Sequence, residues 1–165
     1  MNIEVRRINP TDAENLRNCR LAALKDSPHA FGAKLSDEQN KPLSEFESDS
    51  QRLSSSDSTS MYLALSEESV YGQIGAFISS GKAYICAMWV SPQVRGRRVA
   101  TRLLTMAFDW LVESGHTEVY AWVVDTNNVA ISFYNSVGFK ATTSKQVLPS
   151  NESLTETLYK LSKYS

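Results

Sequence analysis

Val-Ser-Pro-Gln-Val-Arg-Gly-Arg-Arg-Val-Ala-Thr-Arg-Leu-Leu, residues 90–104, joins an apolar run to a strongly amphipathic one. Pro92 ends the first element as a strand, because it has no N–H for a ladder and pushes the residue before it out of helical geometry. Downstream, Val99, Ala100, Leu103, Leu104, Ala107, Trp110 and Leu111 recur at helical spacing, which predicts a helix over 96–114 that stops at Gly115. The start of that helix lies in the loop, with unbonded N–H groups and the positive end of the helix dipole. Gly96 has no Cβ, so a ligand can approach the backbone there. Arg95, Arg97, Arg98 and Arg102 crowd the same place with no acid between them. Backbone donors, dipole and four guanidiniums describe a phosphate site.

A second segment lies one helix and one strand further on. Asn127-Asn128-Val129-Ala130-Ile131-Ser132-Phe133-Tyr134 is followed by Asn135-Ser136-Val137-Gly138-Phe139. Together with the loop Arg95-Gly96-Arg97-Arg98-Val99-Ala100, it resembles the GCN5-related N-acetyltransferases. That family's loop reads Arg/Gln-x-x-Gly-x-Gly/Ala after a strand ending in Val-x-Pro. Its second signature reads Asn-x-x-Ala-x-x-hydrophobic-Tyr, then Gly-Phe. The likeness spans residues 61–145, and Arg20–Leu24 and Ala30–Gly32 look like the leading region of many members. One position departs, since Arg98 stands where a glycine is usual.

The resemblance implies acetyl-CoA as co-substrate. It places the pyrophosphate on the N–H groups of Arg95, Gly96, Arg97, Arg98, Val99, Ala100 and Thr101. Strands 83–90 and 118–124 would diverge at their C-terminal ends, with pantetheine in the gap along Met88, Trp89 and Val90 like an added strand. Asn127, Ala130 and Phe133 would line the cofactor arm, and Tyr134 would aim its hydroxyl at the sulfur as the catalytic residue. A phenol near pKa ~10 can donate to a thiolate whose conjugate acid lies near ~8.5. Dimers are common in the family.

The remaining chain reads as a mixed α/β domain over 1–165. Ile3–Ile8 alternates as a strand, and Thr11-x-x-Glu14 has the form of a capping box opening a helix to about Lys25. A helix around 36–56 follows in a polar, serine-rich stretch. Met61–Leu65 and Val70–Ser79 read as a hairpin turning at 66–69. Ala83–Val90 and Glu118–Val124 are near-continuous apolar strands, a helix spans about 127–137, and 139–145 with 155–161 close the sheet. Strand–helix–strand–helix over 83–137 predicts one parallel pair in an otherwise antiparallel sheet.

Composition excludes several classes. Net charge is −1, so a broad nucleic-acid surface is not expected. No apolar run approaches the ~20 residues of a membrane helix. Cys19 and Cys86 are far apart, have no metal spacing and are expected to be buried, reduced thiols of a cytoplasmic protein. No His, Cys or acid cluster suits a metal. Gly75…Gly81-Lys82 is one residue too long for a nucleotide P-loop and carries Ala83 in place of Ser/Thr. No Gly-x-Ser-x-Gly is present.

The chemistry of an acyl transfer needs a neutral amine, a held carbonyl and a stabilised leaving thiolate. Strand 83–90 holds no acid or histidine to serve as base. Glu118, Asp125, Glu156 and a water relay are the alternatives. Residues 36–57 carry six acids against Lys41 and Arg52. They form either a negative cap that selects a cationic amine or a solvated helix face. The expected acceptor is a small-molecule amine. A protein lysine or N-terminal amine, and a non-catalytic acyl-CoA-binding module, are the alternative readings.

Overall fold

A computed structural model describes residues 1–162; residues 163–165, the last of the expected domain, lie outside the described residues. The chain runs β1 (Glu4–Arg7), α1 (Ala13–Asp26), α2 (Leu35–Gln39), α3 (Leu43–Ser55), β2 (Thr59–Ser66), β3 (Ser69–Ser79) and β4 (Lys82–Val90). A 3₁₀ turn (Pro92–Val94) leads to α4 (Val99–Glu113), β5 (Glu118–Val124), α5 (Asn128–Ser136), β6 (Lys140–Leu148) and β7 (Asn151–Ser162). The strands form one sheet in the order β1-β2-β3-β4-β5-β7-β6. Among the described residues only β4 and β5 run parallel.

Period-two alternation puts different residues on the two faces of this sheet. Tyr62, Ala64, Ile74, Ala76, Ile85 and Ala121 pack under Leu103, Ala107, Phe108 and Leu111 of α4 and under α5. Met61, Leu63 and Leu65 face Leu16 of α1 and Phe46 of α3 instead. Helices therefore cover both faces, and β4 and β5 can be apolar almost throughout.

Two local features open the sheet at its centre. Gly75 pairs with Cys86 and Gln73 with Trp89, so Ile74 alone on β3 faces both Ala87 and Met88 on β4. This is a β-bulge, and Ala87 takes φ +54 to make it. On the other edge, β4 pairs with β5 only over Ala83–Ile85 and Val119–Ala121. Beyond them β5 stays with β7 as far as Val124, opposite Glu156. β4 bends away and a gap forms.

Several boundaries differ from the sequence reading. Asp12, not Thr11, caps α1. The Asp12 carboxylate is held by Arg6 at 2.7 and 3.1 Å and by the Asn9 N–H at 2.6 Å, so no Thr11–Glu14 capping box forms. The expected helix over 36–56 breaks into α2 and α3, because Pro42 has no N–H to continue it and disfavours helical geometry at Lys41. The predicted start of α4 moves from 96 to Val99, since the chain first makes the 3₁₀ turn. The β6–β7 hairpin is longer than expected at its tip.

Candidate active site

A cavity of about 320 Å³ passes through the β4–β5 gap. Ile85 to Val90 form one wall and Trp122 to Val124 the other. Ala100, Asn127, Ala130, Phe133 and Tyr134 bound it from the α4–α5 side. Ser27, Ala30 and Phe31, from the loop after α1, bound the opposite mouth. A wider hollow of about 730 Å³ lies away from the gap among Glu14, Glu47, Glu67 and Glu68, and it contains none of the loop or β4 residues.

The β4 backbone presents unpaired groups to this gap. Ser91 donates to the Tyr71 carbonyl at 2.8 Å. Bonded and non-bonded pairs alternate along an antiparallel ladder, so Trp89, two residues back, also turns its N–H and C=O to β3. The planar peptides on either side of it then point the Met88 C=O and the Val90 N–H at the gap. The Val90 carbonyl is already taken by Arg95 Nε at 3.0 Å.

The loop after β4 is as tightly specified. Gly96 has φ +84 and Arg98 φ +61, the cap of α4. The glycine usual at position 98 is thus explained by a left-handed backbone, which Arg98 adopts at a cost of about 1 kcal/mol. The N–H groups of Val99, Ala100 and Thr101 have no carbonyl one turn back to bond. That of Arg97 is engaged by Val94 at 3.3 Å.

The four arginines are not equivalent, contrary to the expectation of a single cationic cluster without acids. Arg95 bonds Asp26 of α1 at 2.7 Å, and Arg102 donates to the Ile3 carbonyl at 2.7 Å. Asp26 also accepts from Trp89 Nε1 at 3.0 Å and from Ser27 Oγ at 2.9 Å. The indole hydrogen bond, then those of Ser27 and Arg95, hold its carboxyl below the ordinary range. Arg95 and Trp89 therefore tie the end of α1 to the end of β4. Arg97 and Arg98 are exposed and make no ion pair among the described residues.

Tyr134 lines the cavity at 6 % exposure, edge-on to Phe133 and Phe139 at 5.4 and 5.2 Å. Burial, and secondarily the neighbouring Cys86, push its hydroxyl far above the usual phenol range. The group stays protonated and is a hydrogen-bond donor, a weaker acid than the free-phenol value suggests. Cys86 is exposed to the cavity, which corrects the expectation of a buried thiol; Cys19 is buried as expected. Protein around the sulfur pushes the Cys86 thiol up to about 11. At neutral pH it rests as the thiol, a poor nucleophile. Asn127 lines the cavity too, but its Oδ1 accepts from the Ala130 N–H at 3.1 Å and caps α5.

Met88, Trp89, Val90, Arg95, Ala100, Asn127, Ala130, Phe133 and Tyr134 thus converge on the cavity. Gly96, Arg97, Arg98, Val99 and Thr101 lie along the loop and helix start beyond it. Sequence reasoning missed Ser27, Phe31, Cys86, Trp122 and Val124, which carry no polar motif. No residue of the acidic stretch 36–57 lines the cavity. Glu38 is buried there, paired with Arg20 at 3.3 Å and Lys41 at 2.8 Å.

The three candidate bases also separate. Glu118 pairs with Lys160 at the far end of β5, four residues or about 13 Å along the strand from the start of the gap at Trp122. Asp125 accepts from Thr155 and Thr157 at 2.5 Å and from Lys145 at 3.2 Å. Those bonds, the Thr155 hydroxyl foremost, hold its carboxyl low. Glu156 is 8 % exposed and stands cross-strand from Val124, on the sheet face covered by α1. Gln146 Nε2 donates to it at 2.5 Å, and no cation among the described residues pairs with it.

A strand pair opened at its C-terminal ends, above a cationic helix start and beside a buried tyrosine, is the arrangement expected of an acyl-CoA-using transferase. The family model of the GNAT acetyltransferases matches residues 16–139, and the chain belongs to that family of acetyl-CoA-dependent N-acetyltransferases. A GNAT-family acetyltransferase from Streptococcus pneumoniae has the same fold at 18% identity, with a TM-score of 0.80 over 97% of this chain and 98% of that one. The paia N-acetyltransferase of Thermoplasma acidophilum, solved with coenzyme A, is 20% identical, with a TM-score of 0.77 over 99% and 100%. AAC(6')-Iy, solved with the bisubstrate analogue CoA-S-monomethyl-acetylneamine, is also 20% identical, with a TM-score of 0.68 over 87% and 95%. No curated protein sequence matches the chain. Among the described residues no helix is long and apolar enough to cross a membrane.

Proposed function

We propose that the protein acetylates a primary amine of a small molecule, with acetyl-CoA threaded through the β4–β5 gap. The observation that carries this reading is the gap itself: it joins Tyr134 on one face of the sheet to an open mouth at Ala30, Phe31 and Trp122 on the other. The backbone donors at Val99–Thr101 suit a pyrophosphate. The Met88 C=O and Val90 N–H suit the amides of pantetheine, and Asn127 Nδ2 is free to contact the same arm.

The amine enters from the Phe31 side and attacks the thioester carbonyl carbon. A C–N bond forms and the carbonyl oxygen becomes an oxyanion, which the Met88 N–H receives. The C–S bond then breaks, and Tyr134 donates a hydrogen bond to the departing thiolate. Because its proton is so strongly held, Tyr134 stabilises the sulfur before it transfers anything, and solvent completes protonation. Glu156 supplies the negative charge that draws an ammonium to this side and takes up its first proton through water before attack; the second N–H proton, released as the amide forms, leaves through the same water to solvent. AAC(6')-Iy, which shares the fold, has been solved with an acetylated aminoglycoside joined to CoA.

The test is turnover of acetyl-CoA against a panel of polyamines, aminoglycosides and peptides. Acetylation of a small cationic amine at a kcat/KM well above that of any peptide is expected. Turnover confined to peptides, or none with any amine despite CoA binding, contradicts this reading.

A further inference from the structure

Gln73 is a polar residue where the pattern calls for an apolar one. It sits on β3 between Leu63 of β2 and Trp89 of β4, on the sheet face covered by α1, at 2 % exposure. Its Nε2 donates to the Ala87 carbonyl at 3.0 Å. Its Oε1 is buried with no partner among the described residues. A half-satisfied buried amide is costly, and an apolar side chain of equal length would fill the same space without that cost. The core does not explain the residue, but the bulge does.

Ala87 holds φ +54, a conformation that a non-glycine residue keeps only where its surroundings impose it. Among the described residues, the one side chain that bonds its carbonyl is Gln73. Because the trans peptide is planar, a C=O captured on the Gln73 side sends the Met88 N–H the opposite way. On that side β5 has already left the ladder. We propose that Gln73 is a positioning residue for acetyl transfer: by fixing the Ala87–Met88 peptide it aims the Met88 N–H at the thioester carbonyl. Without it, the peptide can rotate and present a carbonyl oxygen to the developing oxyanion. The inference rests on the role given to Met88 above.

The experiment is infrared difference spectroscopy with carbonyl-¹³C acetyl-CoA, which needs no acceptor, run beside CoA calorimetry and thermal melting. Wild-type protein is expected to shift the thioester C=O stretch to lower frequency. Gln73→Met, matched in length, should lose most of that shift and about 10²-fold in kcat. CoA, which lacks the carbonyl, should bind Gln73→Met within about 2-fold of wild type, and Tm should hold. Gln73→Glu keeps the shape and gives a second reading. As a neutral acid it can still donate to Ala87, and as a carboxylate it cannot, so its shift should vanish reversibly as pH rises while that of wild type stays constant. Arg20 of α1, whose charge is felt at the adjacent Cys86, is the neighbouring cation in that titration. A full shift and full kcat in Gln73→Met overturn the proposal. Parallel losses of Tm, CoA affinity and kcat also overturn it, in favour of a packing role. Absence of a shift in the wild type refutes the Met88 assignment itself, and the role of Gln73 falls with it.

Discussion

The two mouths of the cavity are built in opposite ways. The mouth proposed for the cofactor is drawn from two neighbouring segments, Met88 to Thr101 and Asn127 to Tyr134, which supply a strand end, a loop, two helix starts and a tyrosine. The acceptor mouth is assembled from distant parts. Phe31 comes from the loop after α1 and Trp122 and Val124 from β5, with Glu156 of β7 cross-strand from Val124. The tip of the β6–β7 hairpin is fastened to that loop by Ser150 Oγ on the Phe31 carbonyl at 2.6 Å, across 119 residues of sequence. The difference teaches how the two sides can be perturbed separately: the proposed donor side rests on local segments, and the proposed acceptor side on contacts between elements far apart in sequence.

Substitutions on the two sides should therefore fail differently. The largest effect is expected at Tyr134, where both mouths meet. Tyr134→Phe keeps the ring packing against Phe133 and Phe139 and should cut kcat by roughly 10²–10⁴-fold in steady-state assays with the best amine, leaving acetyl-CoA affinity intact. At the cofactor mouth, Gly96→Pro replaces φ +84 by a ring fixed near −65° and deletes an N–H. Calorimetry should show acetyl-CoA affinity down by about 100-fold or more, with the melting temperature little changed because the loop is exposed. At the acceptor mouth, Glu156→Gln should raise KM for a cationic amine by about 10–100-fold, the worth of a charged hydrogen bond. KM for acetyl-CoA should not move; if it does, the two mouths are not separable as described. The smallest effect belongs to Arg97 and Arg98. Changing either to Ala should weaken CoA by about 2–5-fold at low salt, less at high salt, and dephospho-CoA hardly at all. Equal losses for the two ligands would move these arginines to the pyrophosphate.

The same contrast explains what could be read from the sequence. The parallel β4–β5 pair was legible from local signals, Pro92, the period of α4 and Gly115, and nine lining residues from the resemblance carried by the Arg95–Ala100 loop and Asn127 through Phe139. The bulge was not, because Ala87 adopts a left-handed backbone without the glycine that marks such positions. Asp26 was missed as the partner of Arg95 because it lies 69 residues earlier, so four arginines without a nearby acid read as one cluster. The acidic stretch 36–57 was legible as charge but not as position, since Arg20, from another helix, neutralises Glu38. Pro42 did carry a signal, and it broke the helix that periodicity alone extended across it.

The central claim is that the donor lies in the β4–β5 gap, on the Val90 N–H and on the start of α4. Backbone amide hydrogen exchange, followed by NMR with and without CoA, reads this directly. Slowed exchange at Val90 and at Val99, Ala100 and Thr101, with residues 43–55 of α3 unchanged, is the predicted result. Protection confined to residues around the acidic hollow at Glu47 and Glu67, with Val90 exchanging as freely as before, would contradict it.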